Sequence, residues 1–127
     1  MSSTLSAGLI SILEKNTLKY RALVDNLCSE YYSNISTISF KTPLIVNKLV
    51  KLTGDVYLQG QVIVLALTAV MEDQENFSQG QKEQVKYLCD IIQSSKDRYD
   101  IVKREVYFHQ GILSLMEERE ARLRRLR

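Results

Sequence analysis

Apolar residues recur at steps of three and four positions in three long segments, the spacing that places side chains on one face of an α-helix. Ser3 and Thr4 precede the first series and are expected to cap its helix, because their hydroxyls accept bonds from the free amide groups of a first turn. The serine-rich stretch 33–39 is more typical of a loop and predicts the end of this helix. The first series consists of Leu5, Leu9, Ile12, Asn16, Tyr20, Leu23, Leu27 and Tyr31.

The second segment has the clearest start signal, because Thr42 precedes Pro43 and proline is well tolerated at the first helical position. Residues 62–71 are apolar on nearly all faces, which predicts a central helix that is covered on most sides. The pair Gly54-Asp55 allows an interruption, either as a kink or as two shorter helices. The apolar face is formed by Ile45, Leu49, Leu52, Val56, Ile63, Ala66 and Val70.

The third segment follows a predicted turn at residues 73–80, in which Phe77 is expected to pack back against the helices. Its spacing of three and four continues without a slip, which is the heptad seam of a coiled coil. The polar members Ser95 and His109 make the seam imperfect, and such positions can set register or partner choice. The seam consists of Val85, Leu88, Ile92, Ser95, Tyr99, Val102, Val106, His109, Leu113 and Met116.

These segments predict an all-α fold of three long helices, forming an antiparallel bundle or a coiled-coil-like hairpin. The third segment is longer than the second, so the C-terminal helix is predicted to extend beyond the bundle. The alternative is a break at Gly111, after which the final segment would fold back. We divide the chain into a helical bundle domain at residues 1–116 and a basic helical extension at residues 117–127.

The composition of the 127 residues is that of one globular domain, with 45% hydrophobic residues and a single proline. A net charge of +2 gives no general reason to expect nucleic acid or an acidic membrane as the partner. Residues 62–71, the longest apolar run, are too few to span a bilayer, and the N-terminus resembles no signal peptide. We therefore expect no transmembrane segment and a cytoplasmic location.

Little in the chain predicts chemistry. His109 is the only histidine, and its position in the seam indicates a packed or register-setting side chain. Cys28 and Cys89 are isolated from each other and from His109, so they predict small buried thiols, or one disulfide in an oxidising compartment. We predict no catalytic residue, no metal site and no cofactor, and therefore no enzymatic activity.

The C-terminus is the one segment of biased charge, with three glutamates followed by four arginines between residues 122 and 127. Three interpretations remain open: compensation of the helix dipole, docking to a protein partner, and contact with nucleic-acid phosphates or anionic lipid.

The leading hypothesis is a non-enzymatic protein–protein interaction module: a small helical adaptor, an assembly chaperone or a coiled-coil subunit of a larger intracellular complex. Its partner is another protein or a second copy of the chain. The alternative is a small nucleic-acid-binding protein, viral proteins included, that uses the arginine-rich C-terminus. The predicted partner-binding residues are Tyr107, Leu113, Met116, Leu123, Arg124 and Leu126.

Overall fold

The computed structural model describes residues 2–36 and 43–126, with side chains from Leu5 onward. It contains three long helices, α1 (Ser2–Asn34), α2 (Pro43–Glu72) and α3 (Gln79–Arg125), and a short 3-10 helix at Gln74–Asn76 between α2 and α3. The described residues contain no strand, so the prediction of an all-α fold is confirmed.

Side-chain contacts define the direction of each helix. Ser6 of α1 donates a hydrogen bond to Asp73, just after α2, whereas Glu30 near the other end of α1 pairs with Lys48 near the start of α2. Helices α1 and α2 are therefore antiparallel. Glu14 accepts a bond from Gln84, and Asp25 pairs with Arg98, so α3 runs parallel to α1 and antiparallel to α2. The result is an up-down-up bundle, as predicted.

The central helix of this bundle is α1, which packs extensively against both other helices. The expectation that α2 is central and covered on most sides is wrong. Its buried positions, among them Val46, Leu49, Val56, Ile63 and Val70, form a single stripe, and most of the remaining surface is open to solvent. Strong hydropathy indicated burial, but a helix at the side of a three-helix bundle has only one face in contact with its neighbours.

In the N-terminal half of α1 the buried stripe lies one residue away from the predicted one. Leu5 and Ile12 were predicted to face the core but are exposed, and the neighbouring Ser6, Leu13 and Thr17 are buried. The true stripe keeps a regular spacing of three and four: Ser6, Ile10, Leu13, Thr17, Tyr20, Val24, Leu27 and Tyr31. Two of these positions are polar, so a search for apolar residues selected their apolar neighbours instead.

The seam of α3 is confirmed along the bundle, where its members from Val85 to Leu113 are buried or half-buried. The helix starts with a capping box, in which Ser78 accepts a bond from the amide of Gln81 while the Gln81 side chain accepts one from the amide of Ser78. Phe77, directly before this cap, is buried, as predicted for the turn.

One buried hydrogen bond joins α3 to α2: the hydroxyl of Tyr99 donates a bond of 3.1 Å to the carbonyl of Thr53.

Neither glycine flagged as a breaker interrupts its helix. Helix α2 continues through Gly54 and α3 continues through Gly111, so the extension is confirmed and the fold-back is not. Helix α2 starts at Pro43 as predicted, although the capping residue Thr42 lies outside the described residues. Helix α1 starts at Ser2, which places Ser3 and Thr4 within the helix rather than at its cap.

Candidate interaction surfaces

The last part of α3 extends past the rest of the bundle. We call residues 114–126 the overhang. Leu113 is the last buried side chain of α3, and every side chain of the overhang is exposed. The segment spans roughly 20 Å at 1.5 Å per residue. It carries no proline or glycine, so its backbone bonds can continue without support from a neighbouring helix.

The structure places the predicted partner-binding residues in two different environments. Leu113 packs in the core cluster that also contains Tyr31, Val46 and Val106, so its side chain belongs to the bundle. Five others are exposed: Tyr107, Met116, Leu123, Arg124 and Leu126. Met116, Leu123 and Leu126, together with Leu115, occupy one stripe of the overhang, because their spacing keeps them within about a third of the helix circumference.

Charged side chains border this apolar stripe, and one further charge, Arg119, lies within it. Glu117, Glu118 and Glu120 come first along the helix, and Arg122, Arg124 and Arg125 follow in its last turn. Arg124 approaches Glu120 at 3.8 Å, and both side chains are about 70% exposed, at 72% and 68%. Such exposed pairs contribute only about 0–1 kcal/mol, so these charges remain available to a partner. The basic last turn also compensates the helix dipole, as one of the interpretations expects.

A second apolar surface lies on α2 and was not predicted. We call Leu58, Val62, Leu65 and Ala69 the outer face of α2. They follow one another at steps of four, three and four on a different side of the helix from Val56, Ile63 and Val70. Leu58 and Val62 lie beside α1, and Ala69 is half-buried. Leu58 is 64% exposed and Leu65 is 72% exposed. Tyr57, Val64 and Met71, beside this face, are exposed as well.

The signal for this surface was present in the chain. Residues 56–71 carry no charged side chain, and they contain two apolar stripes rather than one. A helix that contacts its bundle through one stripe must leave the other exposed. Among the described residues, α2 alone is long and apolar enough to cross a membrane by length and composition, with 22% of that window buried in the bundle. This finding qualifies the argument from the short run at residues 62–71, which considered only uninterrupted apolar residues.

The single histidine lies at the boundary of the core. His109 Nε2 is 3.5 Å from the hydroxyl of Tyr31, and Tyr31 is almost completely buried. Burial raises the pKa of Tyr31 far above its ordinary value, and the neighbouring Glu105 raises it further. Tyr31 therefore keeps its proton at any ordinary pH, and the contact joins the end of α1 to α3.

The two cysteines are free thiols in separate regions of the core. Cys28 packs in the cluster around Tyr31 and Val102, and Cys89 packs at the edge of the cluster around Leu13 and Leu88. Burial raises the pKa of both thiols, which disfavours the reactive thiolate. No group of three or more metal-ligating side chains occurs within residues 5–36 and 43–126.

Comparison with known proteins finds no family model, no curated protein and no solved structure that matches this chain.

Proposed function

We propose that this chain is a non-enzymatic protein–protein interaction module, a small helical subunit that works by binding other chains. The observation that carries the proposal is the overhang, in which Leu115, Met116, Leu123 and Leu126 are exposed on a helix that extends past the bundle. Exposed apolar stripes bordered by polar residues usually mark interaction sites. An extended helix with such a stripe fits the role of an adaptor, an assembly chaperone or a coiled-coil subunit.

The outer face of α2 supports the same proposal. Covering an exposed leucine side chain contributes roughly 25 cal/mol per Å² of apolar area removed from water. Leu58 and Leu65 therefore offer a second surface whose burial favours association. The two surfaces lie on different helices, so the protein can contact two chains at once.

The first test removes most of the overhang, including Leu123 and Leu126, by ending the chain after Met116. The tagged full-length chain and the shortened chain are expressed at equal levels in their native cells and purified at low and at high salt. We expect the full-length chain to elute in a complex that resists high salt and nuclease treatment. The shortened chain should elute at a clearly lower mass, because only the outer face of α2 then remains for association. Circular dichroism should show that the shortened chain keeps its thermal midpoint and most of its helix.

Two results would contradict the proposal. One is an identical elution mass for both chains, and the other is loss of the fold in the shortened chain. A complex that disappears with nuclease or moderate salt would favour the nucleic-acid hypothesis instead, because phosphate contacts weaken steeply with ionic strength. As a matched control, Leu58→Lys combined with Leu65→Lys alters the outer face of α2 and leaves the overhang intact.

A further inference from the structure

We propose that the overhang pairs with the overhang of a second copy of this chain, and that the two helices run antiparallel. This inference rests on the proposed function and names one partner for it. Two features of the overhang carry the argument: the order of its charges along the helix, and their distribution on the two edges of the apolar stripe.

The charges are ordered so that acid precedes base on both edges. Helical spacing places Glu117, Glu120 and Arg124 on one edge of the stripe. The other edge carries Glu118, Arg122 and Arg125. The midpoint of the two charge blocks lies near Ala121.

An antiparallel pair related by a twofold axis brings each edge against the same edge of the other copy. With the axis near Ala121, Glu117 and Glu120 lie beside Arg124 of the second copy. On the other edge, Glu118 lies beside Arg122 and Arg125 of the second copy. The axis repeats every contact, so all six charges on the two edges find opposite partners. Arg119, the seventh charge of this segment, lies within the stripe and is not part of these pairs.

A parallel pair in register produces the opposite result. Each edge then meets the other edge at the same height, so Glu117 and Glu120 approach Glu118, and Arg124 approaches Arg122 and Arg125. Like charges at an interface destabilise it, which disfavours the parallel arrangement. The charge order therefore favours the antiparallel orientation over the parallel one.

The same twofold axis also brings apolar side chains of the two copies to matching heights. With Ala121 at the centre, Met116 lies at the height of Leu126 in the second copy. Leu123 lies at the height of Arg119, whose aliphatic stem can cover apolar surface. Leu126, 84% exposed in the single chain, thereby gains an apolar neighbour.

The paired region is short, and its length limits the expected affinity of the dimer. Residues 116–126 overlap over roughly 16 Å, so the buried area falls at the low end of specific interfaces. We expect a dimer that depends on protein concentration and that high salt weakens without abolishing, because salt screens the exposed charge pairs but not the apolar contacts. The outer face of α2 remains free in this dimer.

The competing explanation is that the charges pair only within their own helix, as Glu120 and Arg124 do. Variants with reversed charges distinguish pairing between two chains from pairing within one helix. A basic variant changes the three glutamates to arginine (Glu117→Arg, Glu118→Arg, Glu120→Arg). An acidic variant changes three arginines to glutamate (Arg122→Glu, Arg124→Glu, Arg125→Glu). Sedimentation velocity at low salt, over a wide range of protein concentration, measures the mass of each variant and of their equimolar mixture.

We expect each variant alone to self-associate about tenfold more weakly than the wild type, or worse, because its edges carry one sign of charge. The mixture should recover a dimer containing one chain of each kind. A variant that carries all six changes keeps opposite charges in the antiparallel pair and should dimerise like the wild type. The inference is overturned by a wild type that stays monomeric throughout, or by a mixture no heavier than its components.

Orientation is tested with spin labels on the full chain, in a background of Cys28→Ala and Cys89→Ala. Ala121 and Ser114 both face away from the stripe, so labels at either position lie on the outer sides of the paired helices. Labels at Ala121→Cys lie at the same height in the antiparallel dimer, whereas labels at Ser114→Cys are offset by roughly 20 Å along the axis and are therefore farther apart. Equal separations at both positions would show a parallel pair and overturn the proposal. If self-pairing fails but removal of the overhang still dissolves the native complex, the proposed function stands and the partner is a different chain.

Discussion

The two parts of α3 are one continuous helix with opposite surroundings. In residues 79–113, which we call the bundle part, side chains at steps of three and four are buried against α1 and α2. In the overhang the same spacing continues through Met116 and Leu123, yet no side chain is buried. The difference arises because α1 ends at Asn34 and α2 begins at Pro43, so within residues 2–36 and 43–126 neither helix packs against α3 past Leu113. The same apolar pattern thus forms a core in one part and a surface for other chains in the other.

The largest expected difference between the two parts is in stability, and a matched pair of leucine substitutions measures it. Leu88 in the bundle part is 2% exposed, whereas Leu123 in the overhang is 48% exposed. We expect Leu88→Ala to lower the free energy of unfolding by about 2–5 kcal/mol, because it leaves a cavity in the core. Leu123→Ala should change it by less than about 0.5 kcal/mol and weaken association instead. Urea unfolding of both variants gives the values, and equal losses would contradict the division.

A smaller change in the free energy of unfolding is expected for the tyrosines of α3, and this change depends on pH. Tyr99 in the bundle part donates to Thr53, and burial raises its pKa from 10 to about 12, helped by the nearby hydroxyl of Tyr107. Because the folded state holds this proton more tightly, the stabilisation is complete below pH 10. It is lost as the pH rises from about 10 through about 12.

Tyr99→Phe is the variant that tests this titration. It should lower the free energy of unfolding at neutral pH by about 0.5–1.5 kcal/mol, the usual contribution of such a bond. Its unfolding free energy should also fall less steeply than that of the wild type above pH 10. Tyr107→Phe, at an exposed site two turns later, is the control and should leave the neutral-pH value unchanged. Identical alkaline profiles for Tyr99→Phe and the wild type would contradict the assignment.

The smallest expected effect concerns the glycines within the long helices. An added Cβ at Gly54 or Gly111 meets nothing within 4 Å, so alanine fits at both positions. Gly54→Ala, within the bundle, should raise the free energy of unfolding by about 0.5–1 kcal/mol. Gly111→Ala lies just before the overhang, so we expect slower amide hydrogen exchange in the overhang and little change in global stability. A global gain as large as that of Gly54→Ala would mean that the overhang unfolds together with the bundle.

The seam of α3 could be predicted almost residue by residue because its apolar positions are regular and its capping box is local. The stripe of α1 was shifted by one residue in its first half, because Ser6 and Thr17 occupy buried positions. Ser6 is satisfied by Asp73, a residue 67 positions away, and no local pattern reveals such a partner. For the candidate surfaces, the overhang followed from helix lengths, whereas the outer face of α2 was mistaken for core.

The amino-acid sequence by itself determined the number of long helices, the start of α2 at Pro43, the turn before α3 and the length that makes α3 overhang. These depend on periodicity, on breakers and on side chains near in sequence, all of which are local. Only the tertiary structure decided which helix is central, which stripe of α2 faces inward, and that Leu113 is the last buried residue of α3. The physical reason is that an apolar side chain gains the same free energy against any apolar neighbour. Its burial therefore depends on where the other helices lie.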